Sequence, residues 1–236
     1  MSSPADDDLE LRILRVLGSP GEEEGSFRLR LETSRGPIDG IFHAVEGGTG
    51  AVIFVGGAIG GLDGPADRLF ARLPAVLAAA EISSLRIDYR APNEFEECVL
   101  DLLAACSFLK GVGATNVVLV GHSFGGAVVI KAGELAPIAC AVAALSPQLH
   151  GTRQVENLGK PLLLVHGAAD SVLDSEASED IYRRAEEPKQ IVLFADTGHS
   201  LFPAKKRLEV LLKEWIPARL AGEPMATGRR EWMADD

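Results

Sequence analysis

The chain has 236 residues, of which 47% are hydrophobic, and a formal net charge of −11. This length suits one α/β domain, and the apolar content is sufficient for a large core. An acidic chain is poorly suited to phosphate backbones and anionic lipid surfaces, so we expect no nucleic acid and no membrane as partners. The acidic start and the short apolar runs predict neither a signal peptide nor a membrane span, and they favour a cytoplasmic location.

The cysteines and histidines limit the chemistry further. Cys98, Cys106 and Cys140 are widely spaced among apolar residues, which predicts buried free thiols in a reducing compartment rather than a disulfide. The five histidines lack the spacing of zinc ligands, so the sequence offers no support for a metal site. The sequence leaves open whether the protein is a monomer or a homodimer.

Predicted strands and helices alternate along the chain. Residues 27–32 and 38–45 alternate apolar with polar side chains around a Gly-Pro turn, which predicts an antiparallel pair at the edge of a sheet. Continuous apolar runs then predict buried strands at residues 51–55, 82–89, 117–120, 139–145, 162–165 and 190–194. Helices are expected at residues 66–80, 95–109, 176–185 and 201–220, with one more that ends near residue 135.

This order predicts an α/β fold, a three-layer α/β/α sandwich with a mostly parallel sheet of about eight strands. We expect a single domain over residues 26–220. An acidic N-terminal segment, residues 1–25, precedes it, and a flexible tail, residues 221–236, follows it. Too little chain separates the strands on either side of residues 146–161 to form a cap domain.

Four predicted loops are expected to meet at one rim of the sheet. They follow the predicted strands 51–55, 117–120, 162–165 and 190–194 and carry Gly57, Ser123, Asp170 and His199, respectively. Ligands of such sheets bind outside the carboxyl ends of the strands, which is where these loops emerge.

Ser123 lies at the centre of the segment Gly121-His122-Ser123-Phe124-Gly125, between a buried strand and a helix. Glycines two positions to either side allow the sharp, strained turn of a nucleophile elbow. The helix that follows directs unpaired amides toward any negative charge that develops there. The pattern alone is weak in a chain with 25 glycines, and its place between strand and helix gives it weight.

Four segments occur in an order that carries a family resemblance. They are Gly56-Gly57-Ala58, the elbow at Ser123, His166-Gly167-Ala168-Ala169-Asp170 and Gly198-His199. Over roughly residues 26–218 the chain resembles the α/β-hydrolase superfamily, and most of all its small lidless serine hydrolases, the dienelactone-hydrolase-like and acyl-peptidase-like group. The resemblance implies an esterase or thioesterase that forms an acyl-enzyme from a small-molecule acyl substrate, with no metal or organic cofactor.

The resemblance also implies roles for individual residues. Ser123 corresponds to the nucleophile, His199 to the base that takes its proton, and Asp170 to the acid that orients the imidazole. The oxyanion hole is expected from the backbone amides of Phe124 and Ala58.

Some of these assignments have alternatives. Asp196 shares a loop with His199 and could replace Asp170, while Asp174 and Asp196 could instead cap a helix. Many relatives have His-Gly where this chain has Gly56, so the amide of Ile59 is the alternative second oxyanion donor. Dienelactone hydrolases proper carry a cysteine nucleophile, so their particular reaction is not transferred to Ser123.

Other side chains near the predicted rim have two interpretations. His122 is expected to be a packing and hydrogen-bonding residue at the elbow rather than a second base, and His166 a residue at the end of a strand. The Asp88-Tyr89-Arg90 cluster would either line the pocket or form a salt-bridged loop. For the protein as a whole, the alternatives are an acyltransferase or small peptidase with the same triad, and a non-catalytic binding protein on a hydrolase scaffold.

Overall fold

The apolar runs form the centre of a ten-stranded sheet within residues 10–232, the part of the chain that this computed structural model describes. The strands are β1 (Ile13–Pro20), β2 (Ser26–Thr33), β3 (Gly36–His43), β4 (Gly50–Val55), β5 (Ile82–Asp88), β6 (Asn116–His122), β7 (Ala139–Leu145), β8 (Leu162–Gly167), β9 (Lys189–Phe194) and β10 (Gly228–Trp232). Their spatial order is β1-β2-β3-β5-β4-β6-β7-β8-β9-β10. Pairing is antiparallel from β1 through β3 to β5 and parallel from β5 to β10.

Helices cover both faces of the sheet. They are α1 (Pro65–Ala78), α2 (Phe95–Gly111), α3 (Phe124–Leu135), α4 (Glu176–Arg184) and α5 (Lys205–Leu220), with a short 3-10 helix at Val155–Asn157. Alternate residues of one strand reach opposite layers: Phe54 packs with α1 and α5, whereas Ile53 and Val55 pack with α2 and α3. The predicted three-layer α/β/α sandwich is therefore confirmed.

The structure also bears on the predictions about the cysteines and about membrane-spanning helices. All three cysteines are free thiols, as predicted; Cys98 and Cys106 are buried, whereas the prediction of burial is wrong for Cys140, which is partly exposed. Within residues 10–232, every helix is too short or too polar to cross a bilayer.

The eight expected strands are β2 to β9, and the structure adds one strand at each edge. The prediction that the segment before residue 26 lies outside the sheet is wrong over Ile13–Pro20, which pairs with β2. The prediction of a tail without regular structure is wrong over Gly228–Trp232, which pairs with β9. An edge strand joins a sheet through backbone hydrogen bonds. The side chains of β1 are mostly exposed, so its sequence lacks the alternation of apolar and polar residues from which a half-buried strand is predicted. Residues 1–9 and 233–236 lie outside the described residues.

The entry into α1 has an unusual backbone. Ala66, Asp67 and Arg68 have φ values of 53°, 65° and 59°, so the segment turns with a left hand before the right-handed helix continues. Each residue in this conformation costs roughly 1–2 kcal/mol. Two contacts stabilise the turn: the Ala66 amide donates to the Ser200 carbonyl at 2.8 Å, and Lys205 Nζ lies 2.7 Å from Asp67 Oδ2. The turn thereby ties the chain after β4 to the chain after β9.

The connection from β6 to α3 is a sharp turn centred on Ser123, with φ 57° and ψ −118°. A Cβ atom at Gly121 would lie 2.1 Å from the Gly125 carbonyl oxygen. A Cβ atom at Gly125 would lie 2.1 Å from the carbonyl oxygen of Gly56 in the loop after β4. Only glycine fits at both positions, and the elbow presses directly against the neighbouring loop.

We expect Gly121→Ala and Gly125→Ala each to lower the free energy of unfolding by about 2 kcal/mol or more, because the new methyl group overlaps backbone rather than a movable side chain. Gly111→Ala at the end of α2 is the matched control, since its Cβ would meet open space. That variant should be as stable as the wild type or more so, by up to about 1 kcal/mol. Urea denaturation measures all three, and a Gly125→Ala protein of wild-type stability would contradict the packing described.

Candidate active site

Ser123, His199 and Asp170 form one hydrogen-bonded chain at the carboxyl ends of the strands. His199 Nε2 lies 3.0 Å from Ser123 Oγ, and His199 Nδ1 lies 2.7 Å from Asp170 Oδ2. Both imidazole nitrogens are thus engaged, one by a hydroxyl and one by a carboxylate. This arrangement can move a proton from the hydroxyl to the imidazole while the carboxylate stabilises the resulting charge.

The loops that carry Asp170 and His199 are joined by their backbones. The Ala168 amide donates to Phe194 O at 2.8 Å, and the Ala169 amide donates to Thr197 O at 3.0 Å. These bonds continue the parallel pairing of β8 with β9 beyond the ends of the strands. The separation between carboxylate and imidazole is therefore set by backbone geometry.

The Asp170 carboxylate is completely buried and surrounded by donors. Oδ1 accepts the amides of Val172 at 2.8 Å and Leu173 at 2.9 Å. Burial opposes ionisation, but the hydrogen bonds from Leu173, His199 and Val172 outweigh it, and the pKa of Asp170 lies below its usual value. The carboxylate is therefore ionised at neutral pH.

The alternative acids lie elsewhere. Asp196 is exposed, and the carboxylate that contacts His199 Nδ1 is that of Asp170. Asp174 accepts the amide of Glu176 at 2.9 Å, which is the helix-capping role considered for it.

Two more histidines surround this chain. His122 Nε2 donates to the carbonyl oxygen of His199 at 3.0 Å, and the two rings lie 4.9 Å apart. Burial lowers the pKa of His122 to about 4, so the ring is neutral and serves as a packing and hydrogen-bonding residue, as expected. His166 is fully buried behind Asp170, with Nε2 3.2 Å from Asp170 Oδ2. Among the described residues, no group of three or more histidine, cysteine, aspartate or glutamate side chains is arranged to hold a metal ion.

The loop after β4 lies beside Ser123. A Cβ atom at Gly57 would lie 3.6 Å from Ser123 Cβ, and the Gly60 amide donates to Gly57 O at 3.0 Å to close a tight turn around Ala58 and Ile59. Phe124 follows Ser123 in the chain as the first residue of α3. Ala58 follows Gly57 in the turn beside Ser123 and, like Ser123, lines the cavity described below.

The Asp88-Tyr89-Arg90 cluster supports these loops. Asp88 Oδ1 accepts the amides of Gly61 at 2.8 Å and Tyr89 at 3.1 Å, which fixes the end of the β4 loop. Tyr89 contacts the ring of Phe124 edge to face at 6.0 Å. Arg90 is almost buried and pairs with Asp101, so the salt-bridged alternative is the one observed for this side chain.

A cavity of about 610 Å³ opens above Ser123. Most of its wall is the chain after β4, with Ser123, His199 and their neighbours at one side. The lining residues are Gly56, Gly57, Ala58, Ile59, Gly60, Gly61, Leu62, Asp63, Gly64, Pro65, His122, Ser123, His199 and Ser200. These described residues include no lysine or arginine, and Asp63 supplies the one carboxylate.

Sequence reasoning missed what His166, Asp88 and Tyr89 do. His166 precedes Asp170 by four residues, with Gly167 between them. That spacing could have predicted their contact, because a short turn after the strand brings the two side chains together. The contacts of Asp88 and Tyr89 join strands β4, β5 and β6, and these contacts depend on the strand order, which periodicity alone does not reveal.

We expect the protein to lose stability as the pH falls from about 6.5 to 4, in part through His122. Its pKa is about 4 in the folded state and near 6.5 when unfolded, so the unfolded state binds the additional proton in this window. The loss is about 3 kcal/mol at its limit. His122→Gln should show a shallower decline in urea unfolding across this range, whereas the exposed His150→Gln should follow the wild type. Equal slopes for His122→Gln and wild type would contradict the assignment.

The dienelactone hydrolase family model matches residues 72–218. The Escherichia coli K12 "Uncharacterized protein YfhR" is 49% identical over 39 residues, which is 16% of this chain and only 14% of that protein.

Two solved structures share the fold, at identities that show the fold alone. Est1E from Butyrivibrio proteoclasticus has a TM-score of 0.71 and 17% identity, covering 82% of this chain and 99% of that chain. A dienelactone hydrolase from Anabaena variabilis has a TM-score of 0.69 and 18% identity, covering 80% and 95%. On the strength of the family match, this chain belongs to the dienelactone hydrolase family and is a hydrolase.

Proposed function

We propose that the protein is a serine hydrolase that cleaves carboxylic esters or thioesters through an acyl-enzyme intermediate. The observation that supports this most strongly is the hydrogen-bonded chain from Ser123 Oγ through His199 to Asp170. A serine hydroxyl is a weak nucleophile at neutral pH and becomes effective when an adjacent imidazole accepts its proton. Membership of a hydrolase family is consistent with this use of the three side chains.

In the proposed reaction, Ser123 Oγ bonds to the acyl carbon while its proton passes to His199 Nε2. The tetrahedral intermediate then expels the alcohol or thiol, which receives the proton from His199. Water repeats the sequence: it gives a proton to His199, attacks the acyl-enzyme and releases the carboxylic acid, and the proton returns to Ser123.

The negative charge on the carbonyl oxygen needs donors that are already in place. We propose the amides of Ala58, in the turn beside Ser123, and of Phe124, the next residue in the chain, for this role, each contributing about 3 kcal/mol to the barrier reduction. Asp88 supports the same function indirectly, because its bond to the Gly61 amide fixes the loop that carries Ala58.

The cavity favours an uncharged acyl group. Its described lining consists mainly of glycines and apolar side chains, with Asp63 as the charged carboxylate. A substrate carboxylate would find no lysine or arginine in that lining, and the Asp63 carboxylate, which pairs with Arg68 at 3.1 Å, offers it no donor, which disfavours binding. No cap domain formed by residues 10–232 covers the 610 Å³ cavity, which suits an acyl group presented on a larger molecule.

We expect Ser123→Ala and His199→Ala to lower kcat for p-nitrophenyl esters on the order of 10⁶-fold, and Asp170→Asn about 10⁴-fold, because the three groups act as a unit. Ser107→Ala, an exposed serine on α2, is the matched control and should retain full activity. Ester hydrolysis that persists in Ser123→Ala would refute the proposal.

A fluorophosphonate probe separates this proposal from a binding protein on the same scaffold. We expect one adduct, mapped by mass spectrometry to Ser123 and lost in Ser123→Ala. An unlabelled wild type would favour the binding protein. Adding competing alcohols or amines then distinguishes a hydrolase from an acyltransferase, since a hydrolase releases mainly the free acid.

We expect kcat/KM for p-nitrophenyl butyrate to exceed that for the p-nitrophenyl monoester of glutaric acid by about tenfold, because the carboxylate of the latter would enter a cavity lined by Asp63 and by no lysine or arginine. Asp63→Asn should narrow this ratio with little change for the neutral ester. Equal values for the two esters in the wild type would contradict the assigned preference.

A further inference from the structure

His166 is a buried imidazole whose two nitrogens are both engaged. Nδ1 lies 2.7 Å from Ser178 Oγ of α4. Nε2 lies 3.0 Å from the Leu173 carbonyl oxygen and 3.2 Å from Asp170 Oδ2. Both His166 and Ser178 are fully buried, so these partners are fixed by the fold and not exchanged with bulk water.

The partners determine where the proton of His166 lies. A carbonyl oxygen and a carboxylate oxygen can only accept, so Nε2 must carry hydrogen and donate to them. Burial lowers the pKa of His166 and keeps the ring neutral, which leaves Nδ1 to accept from the Ser178 hydroxyl. The structure therefore implies one tautomer, with hydrogen on Nε2.

The Asp170 carboxylate thus receives four donors. Two backbone amides bind Oδ1, while the imidazoles of His166 and His199 both bind Oδ2. His166 competes with His199 for the electron density of the same oxygen. An additional donor on a carboxylate weakens its attraction for the other donor and also restricts its rotation.

We propose that His166 is a positioning residue: held in its Nε2–H tautomer by Ser178, it fixes Oδ2 of Asp170 and tunes how strongly that oxygen attracts the Nδ1 proton of His199. This inference builds on the proposed function, since it assigns His199 as the base. His166 itself contacts Asp170 and acts on the reaction only through it.

The electrostatic surroundings make this effect measurable. The titratable groups that interact with His166 are Asp170 and His199, and His122 interacts with all three. From α4 the contact is the neutral Ser178 hydroxyl. Loss of the His166 donor would leave Oδ2 more basic, favour protonated His199 and move the acid limb of the kcat/KM profile to higher pH.

Two amide substitutions at His166 separate the effect of its hydrogen-bond donor from the effect of side-chain volume. A glutamine amide reaches about as far as Nε2 of histidine and can donate to Asp170. An asparagine amide reaches about as far as Nδ1 and stays on the Ser178 side. His166→Gln should therefore retain the hydrogen bond to Asp170 that His166→Asn loses. The exposed His150→Gln serves as the unrelated histidine control.

We expect His166→Asn to lower kcat about tenfold or more at unchanged KM, and to raise the acid limb of kcat/KM by about half a pH unit. His166→Gln should stay within about threefold of the wild type with its acid limb in place. A folded His166→Asn protein with the wild-type profile would overturn the proposal, as would a His166→Gln protein as impaired as His166→Asn.

A measurement on the unmodified protein covers the case in which His166→Asn does not fold. Long-range ¹H–¹⁵N spectra of the ¹⁵N-labelled protein at neutral pH report the tautomer of each histidine, and the His166 signals are identified by their loss in His166→Gln. Hydrogen on Nε2 is expected, and hydrogen on Nδ1 or on both nitrogens would overturn the proposal. This readout needs no substrate, so it fails independently of the ester hydrolysis proposed above.

Discussion

The buried carboxylate of Asp170 is the group on which the site depends. An ionised carboxylate without access to water is tolerated only when donors surround it, and here two amides and two imidazoles do so. The amides come from the turn after β8, one imidazole comes from β8 itself, and the other comes from the loop after β9. The stability of the charge and the placement of His199 therefore have the same structural basis.

The sheet provides the rigid frame for this arrangement. Parallel pairing of β4 with β6 places the Gly57 turn beside Ser123, and pairing of β8 with β9 places Asp170 beside His199. His122, at the end of β6, joins the two pairs of strands through its hydrogen bond to the His199 carbonyl oxygen, and Tyr89 packs against Phe124 beside the elbow. Over residues 10–232 no cap domain covers this site.

Residue patterns predicted the buried strands, the flanking helices and the elbow at Ser123, because burial on both faces imposes a continuous apolar run and an elbow imposes its glycines. The pairing of Ser123 with His199 and Asp170 was implied by the family resemblance, and the structure brings the three side chains together. The patterns did not predict β1 and β10, which join the sheet through backbone bonds. The patterns also did not predict the left-handed entry to α1, because the residue types of Ala66 and Asp67 do not indicate a positive φ. That conformation is stabilised by contacts with Ser200 and Lys205, which are distant in the chain.

The left-handed entry to α1 links the cavity entrance to the loop that carries His199, two parts of the site that are distant in the sequence. The segment directly follows Pro65, which lines the cavity, and through the bond between Ala66 and Ser200 it supports the residue next to His199. Its left-handed residues each cost roughly 1–2 kcal/mol, so local opening of the segment would recover part of its own cost. An opening there would widen the entrance and loosen the base in a single event, so access for bulky molecules and catalytic competence would be in direct competition.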